Sequence, residues 1–70
     1  MTRQWRTDDS NTHISDPVNN LPKLYVHFDS VPRMVYLNNE IRVWAPNIDK
    51  AKEFAENISE IISNPSFSLT

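Results

Sequence analysis

The sequence predicts an α+β domain: a three-stranded antiparallel sheet carries one C-terminal helix on one face (βββα), with a flexible N-terminal arm in front. Three observations point there. Apolar residues alternate along 24–28, further strand-like runs follow at 33–37 and 40–45, and an Asn-Asn pair separates these last two. From Ala51 to Ile62 the apolar spacing changes to i, i+3, i+4 and i+7.

Residues 1–21 are dominated by Asp, Asn, Thr, Ser and Arg, with Trp5, Ile14 and Val18 as isolated apolar positions. No period of 2 or 3.6 connects them, so the segment reads as a flexible arm. Pro17 and Pro22 bracket Asn19-Asn20 and mark the start of the folded part, expected over 22–64. Leu24, Val26 and Phe28 then share one face of a strand. Asp29-Ser30-Val31-Pro32 breaks it, because Asp and Ser favour turns and proline donates no ladder hydrogen bond.

Asn38-Asn39 is the strongest local signal. A two-residue type I′ turn needs positive φ at both central positions, and the chain has no glycine to provide it. Asparagine is the next most tolerant residue there. A turn of that length sets Leu37 opposite Glu40, Tyr36 opposite Ile41 and Met34 opposite Val43, which puts apolar residues on one face. Asn47 is placed to cap a helix starting at Ile48, with Asp49 in the first turn. Ala51, Phe54, Ala55, Ile58, Ile61 and Ile62 form its apolar stripe, and Asn64-Pro65 ends it. Residues 65–70 are expected to be a tail, with Phe67 and Leu69 as its apolar residues. The helix should cover Leu24, Val26, Phe28, Met34, Tyr36, Ile41 and Val43.

Composition narrows the function. The chain has 70 residues, a net charge of −2 and neither glycine nor cysteine. Glycine-rich phosphate loops, disulfides and thiolate metal sites are therefore excluded. His13 and His27 stand in no metal-ligand spacing, so no metal and no cofactor is expected. No apolar run approaches the roughly eighteen residues of a membrane span, and no apolar segment follows the N-terminus as in a secretory signal. A cytoplasmic protein without membrane contact is the expectation. About forty-five foldable residues make a marginal core, which a second copy or another partner would complete.

The uncovered sheet face is the candidate site, displaying Tyr25, His27, Arg33, Val35, Leu37, Arg42 and Trp44. An aromatic and apolar patch edged with arginine suits self-association, with two sheets packed face to face or two edge strands joined into a longer sheet, or a larger protein anchored on Trp44, Tyr25 and an arginine. It also suits single-stranded nucleic acid stacked on Tyr25 and Trp44, with Arg33 and Arg42 on phosphates. The arm offers a second contact through Arg3, Trp5 and Arg6, although Asp8-Asp9 opposes a nucleic-acid role. His27 and Asp29 share a face as an acid–base pair would, yet two exposed polar residues at a strand end account for them equally well. Glu53, Glu56 and Glu60 read as a solvated helix stripe.

No catalytic residue is assigned, because so small a fold rarely encloses a water-excluding pocket. The expected function is therefore non-enzymatic: a small regulatory or accessory protein, an inhibitor or adaptor of a larger protein, acting stoichiometrically as a homodimer. The alternative from another class is a weak single-stranded nucleic-acid binder.

Overall fold

The computed structural model describes residues 4–17 and 21–63. Its elements are β1 (Arg6–Thr7), β2 (His13–Ser15), β3 (Lys23–Phe28), β4 (Arg33–Leu37), β5 (Glu40–Ala45) and α1 (Ile48–Ser63). The strands form a single mixed sheet in the order β1-β2-β3-β5-β4, and α1 packs against its central strands.

The C-terminal half follows the sequence closely. Asn38 and Asn39 have φ of 55° and 61°, as a type I′ turn requires. The hairpin register pairs Leu37 with Glu40, Tyr36 with Ile41 and Met34 with Val43. The side-chain oxygen of Asn47 accepts from the Lys50 amide at 3.1 Å, while its carbonyl accepts from Ala51 at 3.0 Å. Helix α1 thus starts with one of its orphan amides satisfied. Residues 64–70, with Asn64-Pro65, Phe67 and Leu69, lie outside the described residues, as do Arg3 and Val18.

The structure departs from expectation first in the sheet. The sheet is neither three-stranded nor purely antiparallel, since β3 and β5 run parallel with Leu24 beside Ile41 and Val26 beside Val43. The Asp29–Pro32 segment carries the chain past one strand position, and the Asn-Asn turn folds β5 back into the gap. The gain is geometric. A helix about 10 Å across covers roughly two strands at about 4.8 Å spacing, so the two most apolar strand faces lie together beneath it. Leu24, Val26 and Ile41 are completely buried there, with Val43, Ala51 and Ala55 around them.

The same width limit leaves β4 uncovered, so Met34 and Tyr36 are exposed instead of buried beneath the helix. Phe28, at the end of β3, is 70% exposed. On the helix, Ala51, Ala55 and Ser59 form the buried line. Phe54 and Ile61, placed in the apolar stripe by spacing, lie exposed on its flank.

The second correction concerns the segment read as a flexible arm, which contributes β1 and β2. Its turn is built from polar residues. The Asp8 carboxylate accepts from the amides of Ser10 and Thr12, both at 2.9 Å, and Asn11 takes the left-handed position with φ of 61°. With the Asn11 amide donating to the Asp8 carbonyl, this is a hairpin turn with a left-handed residue at its exit. Strand β2 then pairs with β3, His13 beside Val26 and Ser15 beside Leu24. Trp5 packs against the core cluster from the helix side, and its indole N–H donates to Glu56 Oε2 at 2.8 Å.

Candidate functional site: the open sheet face and the β4 edge

Strand alternation carries Tyr25 and His27 of β3, Arg42 and Trp44 of β5, and Arg33, Val35 and Leu37 of β4 to the face opposite the helix. The predicted residues therefore come together. Tyr25 and His27 stack with centroids 6.3 Å apart, and His27 and Trp44 at 5.0 Å. Guanidinium groups lie over the outer rings: Arg42 is 3.9 Å from the Tyr25 centroid and Arg33 is 4.5 Å from that of Trp44. The Lys23 ammonium lies 5.1 Å from the Tyr25 ring. The ring faces are thus engaged largely by neighbours within the chain.

The cations are similarly engaged. Arg33 pairs with Asp29 at 3.0 Å, Arg42 with Glu40 at 3.5 Å, and Arg6 with Asp16 at 3.0 Å. The Arg6 guanidinium holds the Asp16 carboxyl below the usual carboxylate range. The amide of Val31, followed by Arg33, does the same for Asp29. Backbone amides, that of Thr12 above all, act likewise on Asp8. Exposed pairs of this kind add little stability, but they neutralise the positive footprint that a phosphate backbone would need.

The first hairpin borders this face. Ile14 of β2 is buried beside Tyr25, and the Thr12 hydroxyl lies 3.3 Å from His27 Nδ1. Burial, together with the charges of Arg42 and Arg33, pushes the imidazole below its ordinary pKa, against the opposing pull of Asp8. His27 Nε2 is buried without a hydrogen-bond partner among the described residues. Asp29 is committed to the Val31 amide and Arg33, so His27 and Asp29 take different partners. Of the arm residues singled out, Arg6 borders the open face, Trp5 lies on the helix side, and Arg3 is outside the described residues.

Sequence reasoning missed a second surface, on the helix side of β4. All five residues of this edge strand are exposed. Between it and α1 runs a groove of about 400 Å³, lined by Pro32, Met34, Val43, Ala45, Lys50 and Phe54 among others. One signal was available: Met-Val-Tyr-Leu is apolar on both alternating faces, which an outer strand covered on one side does not require.

Among the described residues, no three or more His, Asp or Glu side chains are grouped to hold a metal ion. Among those residues, too, no helix is long and apolar enough to cross a membrane. No family model, no curated protein and no solved structure matches this chain.

Proposed function

We propose that this chain is a small non-enzymatic regulatory or accessory protein that acts by stoichiometric protein association, with a homodimer as its working form. One observation carries the reading: β4 is an edge strand exposed along its whole length and apolar on both faces, beside an apolar groove. Soluble proteins blunt such edges with short strands, charges, proline or bulges, because unpaired backbone groups recruit other strands. Strand β1, the opposite edge, is blunted in that way: it is two residues long and carries the paired Arg6. Strand β4 has one charge, Arg33 at its start, and remains open. A larger protein that the dimer inhibits or adapts would dock against the apolar groove between β4 and α1, which edge pairing leaves open. A cysteine-free chain suits a reducing compartment such as the cytoplasm.

The nucleic-acid reading draws on the arginine and aromatic row of the open face. Against it, three of the row's neighbouring cations are already paired and the ring faces are engaged. Light scattering on a sizing column, run over a concentration series, tests the proposal. The mass is expected to rise from the 8.2 kDa of one chain toward twice that value. Single-stranded oligonucleotides at low ionic strength should show no salt-sensitive binding. A constant monomer mass combined with salt-sensitive oligonucleotide binding would replace this reading with the alternative.

A further inference from the structure

We propose that two copies join through β4, pairing it antiparallel with its symmetry mate about a two-fold axis at Val35 to make one continuous ten-stranded sheet. This rests on the reading of the protein as a self-associating one and names the surface and register it uses.

The hairpin decides which backbone groups are free. In an antiparallel pair, opposed residues alternate between those that exchange both backbone hydrogen bonds and those that exchange none. A two-residue turn places the bonded pair next to itself, so Leu37, Val35 and Arg33 direct their amides and carbonyls toward β5. Those of Met34 and Tyr36 point to the open edge. A second β4 centred on Val35 sets Met34 opposite Tyr36 of the other copy, twice over, and every outward group finds a partner. Of the antiparallel two-fold registers, it alone pairs all five residues.

The side chains agree with the backbone. On the helix side Met34 meets the second copy's Tyr36, a thioether against an aromatic ring. On the open side Val35 meets Val35, and Arg33 meets Leu37. No like charges oppose each other, and Arg33 keeps Asp29 at 3.0 Å as its counter-ion. The helices do not collide. Each lies over β3 and β5, about 7 Å from β4, so the two axes stand roughly 19 Å apart, well beyond helix packing distance. The two grooves beside β4 then merge into one apolar trench across the axis. Five residues a side bury on the order of several hundred Å², at the low end for specific interfaces, so the dimer is reversible.

The chain has no cysteine, which makes cross-linking a clean test. Opposed Cα atoms at a non-bonded antiparallel site stand about 4.5 Å apart, within disulfide range. Val35→Cys should therefore give a covalent dimer under mild oxidation. Arg33→Cys and Leu37→Cys should not cross-link with themselves, each lying about 13 Å from its own copy. An equimolar mixture of these two should yield the mixed disulfide. Arg42→Cys, at the centre of the open face, should remain monomeric on a reducing-agent-free gel. A dimer by light scattering that fails to cross-link at Val35, or that cross-links at Arg42 instead, overturns this interface and leaves self-association standing. A monomer at every concentration overturns both and leaves the edge to a different protein.

Discussion

Replacing Trp5 with alanine is expected to destabilise the fold by about 2 kcal/mol, read as a lower urea midpoint. Full burial of a tryptophan would put the loss at roughly 3–5 kcal/mol, and Trp5 is only partly buried against the core. Its indole bond to Glu56, at 2.8 Å, accounts for about 1 kcal/mol of the effect. Trp5→Phe, which keeps the packing and loses the bond, should therefore fall between alanine and the native chain. A domain of this size has roughly 4–10 kcal/mol of stability in total, so the alanine variant forfeits a large share of it. An unchanged midpoint in Trp5→Ala would return the first hairpin to the status of an independent arm.

Lowering the pH from 7.5 to 5.5 should destabilise the native protein and leave His27→Gln less affected. The imidazole is half-buried between Tyr25 and Trp44, with Arg42 and Arg33 nearby, and its pKa in the fold lies below the ordinary value of about 6.5. The unfolded chain therefore binds the proton more readily than the folded one. Stability is complete above about pH 6.5 and is lost progressively as the pH falls toward the folded pKa. The Asp8, Asp16 and Asp29 carboxylates act in a separate window. Their pKa values are depressed, so their contribution persists down to about pH 4 and disappears only below it. Urea midpoints measured at the two pH values for both proteins check this. Equal losses in the two would remove His27 from the explanation.

The parts of the fold legible in the sequence were those encoded over short distances. Asn38-Asn39 announced its turn because only residues tolerant of positive φ serve there, and the hairpin register followed from it. Asn47 announced the helix start for a similar local reason. The pairing of β3 with β5 was not legible, since alternation along a strand is the same whichever neighbour it takes. The width of one helix settles that question, and it acts only after the strands assemble. Strands β1 and β2 escaped because two and three residues are too few to display a period. Their turn residues Asp8 and Asn11 were the available signal, in a stretch whose polarity resembled that of an unstructured arm.

The candidate site divided in the same way. Tyr25, His27, Arg33, Arg42 and Trp44 were grouped correctly by alternation alone. Their mutual stacking, and the carboxylates that neutralise their cations, depended on side-chain geometry that spacing does not encode. That β4 is an edge follows from the insertion of β5 between it and β3, which alternation along a strand does not encode. Val35 and Leu37 belong to the open sheet face by alternation, and the fold adds that their neighbours Met34 and Tyr36 turn their backbone groups to an unpaired edge.

Amide hydrogen exchange at Met34 and Tyr36, followed by NMR over a dilution series, tests the association edge most directly. Both amides point away from β5, so they should exchange quickly in dilute solution and become protected as concentration rises. Those of Val35 and Leu37 should be protected throughout. Fast exchange at Met34 and Tyr36 at every concentration, with Val35 and Leu37 still protected, would contradict the claim that β4 is where this protein meets its second copy.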